Sequence, residues 1–158
     1  MLLMSVLIAP SVSASTASLD IEFTLTDLDA QPYHRPYVAI WLETPERKHV
    51  TTIALWVEKA EWFKDLRQWW RKAGRSSANF DGVTGATKRP GTYTIHWQGQ
   101  DLNGNPVKPG KYLLNLEVVR EEGGRNYTRL EVDLTKAGKL TIAGEKEFST
   151  SYVTISSN

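Results

Sequence analysis

Cysteine is absent from the chain. That excludes disulfides, thiolate metal sites, iron–sulfur ligation and a cysteine nucleophile. It leaves the compartment open, because oxidising compartments also hold Cys-free proteins. Neither sign of charge is in excess: 19 Lys and Arg meet 18 Asp and Glu, for a net +1. A dedicated nucleic-acid binder, with its strongly basic face, is therefore not expected. No apolar run reaches the roughly 20 residues that cross a bilayer as a helix. There is no Gly-x-Ser-x-Gly elbow. The segment from Gly82 to Lys88 holds Gly, Thr and Lys, but Lys88 follows Thr87 rather than a glycine, so it is not a phosphate-binding P-loop. Internal repeats, low-complexity tracts and internal linkers are also missing.

What is present describes one globular domain. A length of 158 residues suits a single core, with about 70% of the unfolded surface buried. Apolar residues make up 41%, and six Trp, six Tyr and four Phe make the chain rich in aromatics. Leu2–Ala9 is apolar, and the small residues Val12-Ser13-Ala14 and Ser15-Thr16-Ala17 follow it, as before a signal-peptidase cut. The first basic residue is Arg35, so the usual charged start of a signal is missing. Residues 1–17 are read as a signal peptide truncated at its N-terminus, and 18–158 as one extracytoplasmic domain with no stable membrane insertion after cleavage.

Residues 19–25 alternate Leu19, Ile21, Phe23 and Leu25 with polar partners, the period of a half-buried strand. Residues 37–42 and 51–57 are apolar, β-branched and aromatic runs, expected as strands buried on both faces. Thr44-Pro45-Glu46-Arg47-Lys48 supplies the turn chemistry for a hairpin between them. Further strands are expected over 92–97, 111–119, 127–134, 140–142 and 148–155, with turns at Asn103-Gly104, Pro109-Gly110 and Gly123-Gly124. Between them the period changes. Trp62, Phe63, Leu66, Trp69 and Trp70 share one helical face, which predicts an amphipathic helix over 60–73 with Gly74 as its cap and its Lys and Arg facing solvent. Residues 74–91 read as a long loop. The whole is expected to be mainly β, an antiparallel immunoglobulin-like β-sandwich with one inserted helix.

Most candidate chemistry in this pattern is weak. His34, His49 and His96 lie in separate segments without metal-ligand spacing. Asp101-Leu102-Asn103-Gly104-Asn105 lacks the sixth-position Gly and twelfth-position Glu of a calcium loop, and reads as a tight turn. Asn126-Tyr127-Thr128 fits the glycosylation triplet by chance. Trp62, Trp69 and Trp70 could form a platform for a ligand ring or pack as ordinary core.

Asp81-Gly82-Val83-Thr84-Gly85-Ala86-Thr87 stands apart. Its glycines permit unusual backbone angles and close approach by another molecule, and its two hydroxyls, on Thr84 and Thr87, are expected to be exposed. The segment resembles the acceptor motif of ApbE-type flavin transferases: Asp, two residues, Ser or Thr, Gly, Ala, then Ser or Thr. Asp81, Thr84, Gly85, Ala86 and Thr87 match each fixed position. The resemblance implies that Thr87 is joined to the phosphate of FMN through a phosphoester. Lys88 and Arg89 follow, where some acceptor sites carry another small or hydroxyl residue, and could neighbour the phosphate.

Arg35-Pro36-Tyr37-Val38-Ala39-Ile40-Trp41, Ala54-Leu55-Trp56, Leu66-Arg67-Gln68-Trp69-Trp70, Gly91-Thr92-Tyr93 and Trp97-Gln98-Gly99 are, with the motif, similar to a predicted periplasmic domain family of unknown function. That family accompanies flavin transferases and PepSY-type membrane reductases. Residues 91–117 also resemble the immunoglobulin-like repeat of flagellar hook-capping proteins. These resemblances imply a periplasmic electron-transfer protein, a substrate of a flavin transferase and a redox carrier rather than an enzyme. The alternatives are a non-catalytic binding or assembly module with an aromatic ligand surface, and a hydrolase whose site is assembled from dispersed residues.

Overall fold

The structure is a computed structural model, and it describes residues 16–157. The apolar run Leu2–Ala9 and the first small-residue cluster lie outside the described residues. Strands β1 (Ser18–Leu25), β2 (Tyr37–Glu43), β3 (His49–Trp56), β4 (Thr84–Gly85), β5 (Gly91–Trp97), β6 (Lys111–Val119), β7 (Arg125–Asp133), β8 (Gly138–Ile142) and β9 (Ser151–Ser156) form two sheets. One runs β5-β1-β9-β8 and the other β4-β3-β2-β6-β7. The fold is mainly β and sandwich-like, as expected.

Alternation sets the first sheet. Leu19, Ile21, Phe23 and Leu25 are all buried on one face of β1, and Val153 and Ile155 join them from β9. Facing them are Val38, Ile40 and Leu42 of β2, and Leu114, Leu116 and Val118 of β6. A second apolar layer lies on the outer face of the five-stranded sheet, where Tyr37, Ala39, Trp41, Leu55 and Val57 pack against Leu66, Trp69, Ala73 and Phe80. Every residue of β2 is buried for this reason: both faces of its sheet are covered. The β2–β3 hairpin closes through Thr44–Lys48, with Arg47 at φ 67°. The β6–β7 hairpin closes at Gly123-Gly124. The long turn between β5 and β6 instead carries the chain from one sheet to the other.

The continuous helix expected over 60–73 is corrected by the structure. Ala60–Asp65 forms a 3₁₀ turn, Arg67–Trp69 a single α-turn and Trp70–Gly74 a π-turn. The break falls at Leu66, whose φ −75° and ψ 72° leave the helical region. The restarted helix has no side-chain cap of its own. Glu117 of β6 supplies one: its fully buried carboxylate accepts the backbone N–H groups of Gln68 and Trp69 at 3.0 Å each. Free N–H groups at a helix start need such acceptors. Gly74 is not a left-handed cap either. A side chain there would strike the Trp70 indole, with Cε3 2.2 Å from a built Cβ, so glycine is needed for space. The aromatic stripe is core, with Trp69 buried edge-on against Phe63 and Phe80.

Residues 74–91 are not one irregular loop. Asp81–Val83 makes a 3₁₀ turn, and Thr84–Gly85 becomes β4, lying parallel to β3 on the edge of the sheet.

Candidate functional site

The motif is positioned by its two ends. Phe80 is buried under the helical segment and anchors the start. Asn79 Oδ1 accepts the backbone N–H of Asp81 at 2.8 Å, and Phe80 O accepts both the Val83 N–H and the Thr84 hydroxyl. Gly85 then aligns with Trp56, and its carbonyl accepts the Val57 N–H at 3.0 Å. The far end is fixed by Tyr93, whose hydroxyl donates to Arg89 O at 2.8 Å.

Between these anchors Thr87 turns inward. It is only 4% exposed, which corrects the expectation of an exposed hydroxyl there, and it donates to Glu58 Oε1 at 2.9 Å. Asp81, Thr84 and Ala86 are exposed, whereas Lys88 is half-buried with its ammonium 5.5 Å from the Trp56 ring and 5.7 Å from Tyr93. Cation–π attraction to two rings explains that placement. Lys88 is thus engaged by aromatics, and Arg89 is the basic neighbour that faces a cleft.

Three clefts adjoin this segment. One of about 290 Å³ is lined by Asp81, Thr84, Glu58 and Phe63. One of about 240 Å³ is lined by Glu58, Trp62, Tyr37, Tyr33 and Arg35. One of about 470 Å³ is lined by Asp27, Tyr33, Arg35, Arg89 and Pro90. Glu58 is common to the first two, and Tyr33 with Arg35 to the last two. Trp62 lies stacked on Tyr37, ring centres 5.8 Å apart, and Lys59 sits 4.9 Å over the Trp62 ring. Burial pushes the Tyr37 phenol up to about 12, helped by the carboxylates of Glu121, Asp65 and Glu58, so that wall stays neutral at physiological pH.

The motif's small residues have no structural cause. Neither Gly82 nor Gly85 has a positive φ, which corrects the expectation of unusual backbone angles. A side chain at Gly82 would meet nothing within 4 Å, and one at Gly85 would only touch Trp56 at 3.7 Å. Gly99 behaves otherwise: its φ is +76° and a Cβ would lie 2.3 Å from Ala17 O. The fold demands glycine at 99 and not at 82 or 85.

The model of the predicted periplasmic protein family DUF2271 matches residues 18–150. The chain belongs to this family. The match runs from the first residue of β1 to the residue before β9, so the motif and its three clefts are part of the DUF2271 domain. No curated protein and no solved structure matches the chain.

The remaining candidates in this DUF2271 domain take structural places. His96 pairs with Asp20 on the solvent face of the first sheet. His49 bonds to Thr52, and burial holds its pKa below the ordinary 6.5. His34 lies 3.6 Å from Glu121. Among the described residues no group of three or more His, Asp or Glu could hold a metal ion. The Asp101 carboxylate accepts the N–H groups of Asn103 and Asn105, with Gly104 at φ 81°, the expected tight turn. Asn126 is tied to Glu145 and to the Glu147 N–H. Glu58 was not singled out in the sequence. It follows the last apolar residue of the β3 run and carries no motif; only the parallel placement of β4 brings Thr87 to it.

Proposed function

We propose that this protein is a periplasmic electron carrier that holds FMN covalently, as a phosphoester on the Thr87 hydroxyl. The observation that carries the reading is the motif itself. Asp81, Thr84, Gly85, Ala86 and Thr87 match a flavin-transferase acceptor, and the fold gives no reason for its glycines. A second enzyme that must grip the segment would supply one. A tether also suits a carrier outside the cytoplasm, where dissociable FMN would be lost by dilution.

Attachment requires the Thr87 hydroxyl to leave Glu58 and turn outward. The segment is held for that movement by a two-residue edge strand and one backbone bond to Val57, a small and local cost. Arg35 and Arg89, which line one cleft, would donate to the linked phosphate and offset its charge. Tyr33, Tyr37 and Trp62, which line the adjoining cleft, would offer rings to cover one face of the flavin, which would supply the electron-transfer chemistry. The partners in this reading are a flavin transferase and a PepSY-type membrane reductase. No helix among the described residues is long and apolar enough to cross a membrane.

The test is intact mass and a visible spectrum after export alongside a flavin transferase. Expected is a gain of one FMN less water, with a flavin spectrum that survives denaturation, lost in Thr87→Ala and kept in Thr84→Ala. Flavin retained by Thr87→Ala would refute the assignment. A colourless, unmodified protein beside a working control acceptor would favour a binding module instead.

A further inference from the structure

A further concavity, of about 380 Å³, lies along the helical segment beside β7. Every titratable group that lines it is cationic: Lys64, Arg67, Arg71 and Arg75 from the helical segment, and Arg125 from β7. The Glu117 clamp holds the restarted helical turns against β7, which brings these side chains to one concavity although the helix is broken at Leu66. Arg125 is already committed, donating from Nε and Nη2 to the buried Glu117 at 2.9 and 2.8 Å. The other four have no carboxylate partner among the described residues. Arg71 donates to the neutral Gln68 carbonyl. Four like charges at one mouth repel one another, and no carboxylate lines that mouth.

We propose that this concavity binds an anionic phosphate ligand larger than inorganic phosphate, of the diphosphate or phosphodiester class. Guanidinium groups match phosphate oxygens in paired geometry, and three of the four free cations are Arg. The volume exceeds what a lone inorganic phosphate fills, so it accommodates a diphosphate or a phosphodiester headgroup. The half-buried Trp70, laid on Gly74, forms part of the wall and reports occupancy. The inference does not depend on flavin at Thr87, because no residue of the motif lines this concavity.

The experiment uses the unmodified full domain at low and at physiological salt. Pyrophosphate is titrated by calorimetry and Trp fluorescence, and phosphatidylglycerol vesicles by co-sedimentation. Binding of either probe, weakened at least about tenfold in Arg71→Gln/Arg75→Gln and weakened by salt, supports the site. The pyrophosphate arm identifies a free ligand, and a response to vesicles alone identifies a lipid headgroup. Both side chains are exposed, so the double variant should keep the wild-type melting temperature. Lys64→Gln/Arg67→Gln provides an independent second pair. Failure of both probes to bind, or binding unchanged in both double variants, would overturn the proposal.

Discussion

Replacing Glu117 by Gln tests how the helical segment is held to the sheet. The carboxylate is fully buried and accepts from four N–H groups: the backbones of Gln68 and Trp69, and two nitrogens of Arg125. Glutamine keeps the volume but offers a single acceptor oxygen, and its NH₂ must face a donor. Hydrogen bonds to a charged group contribute about 1.5–3 kcal/mol each, and breaking a buried pair costs about 3–5 kcal/mol. Arg125 lies at the solvent edge, 35% exposed, and can recover water, which moves the expected loss to the lower end, about 3 kcal/mol. At roughly 2–4 °C per kcal/mol for a domain of this size, the melting temperature should fall by roughly 6–12 °C. Urea unfolding followed by Trp emission reads the loss directly, because Trp69 sits on the clamp. Arg125→Met should cost at least as much, because it leaves the fully buried Glu117 carboxylate without its counter-charge. A Glu117→Gln loss below about 0.5 kcal/mol would refute the clamp.

Three further outcomes are expected. Trp69 Nε1 donates to Thr52 Oγ1 at 2.9 Å, and Thr52 Oγ1 and His49 Nε2 share a hydrogen bond of 3.0 Å, a relay that links the helical segment to His49. Burial lowers the His49 pKa, against the weaker pull of Glu43. The folded state therefore resists a proton that the unfolded chain takes up near 6.5. Stability from this group is present above that pH and is lost as pH falls through the depressed value. Chemical denaturation between pH 7.5 and 5 should show the decline, and His49→Gln should flatten it; an unchanged slope would contradict the relay. The glycines separate fold from function. Gly99→Ala meets a positive φ and a backbone oxygen, and should lose about 2 kcal/mol or more in a thermal melt. Gly85→Ala should be neutral or gain up to about 1 kcal/mol while lowering the yield of covalent flavin, and a destabilised Gly85→Ala with full flavin yield would reverse the argument.

The strands were legible because their cause is local. Leu19, Ile21, Phe23 and Leu25 declare a period of two whatever they pair with, and the unbroken apolar run of β2 declares a sheet covered on both sides. The helical face was legible for the same reason, and its destination in the core was too. The break at Leu66 was not, because its cap is a carboxylate 49 residues later in the sequence. β4 was invisible because a parallel edge strand is made by backbone bonds, which leave no side-chain pattern. The motif could be found as a string, but the burial of Thr87 and its bond to Glu58 depend on that same backbone pairing. The basic concavity was read as a solvated helix face, since the convergence of Arg125 on Arg71 and Arg75 exists only once β7 is in place.

The pairing of β1 has a consequence for how the chain reaches this state. β1 lies between β5 and β9, and Ser18 is opposite Ser156. One edge of β1 can pair with β5, but its other edge stays open until β9, the last strand of the chain, joins it. Closing so long a loop is entropically slow, and sheets built from distant partners fold late and cooperatively. The first sheet is therefore completed only when the whole domain is available, whereas the sheet that holds β3 and β4 needs neither β1 nor β9.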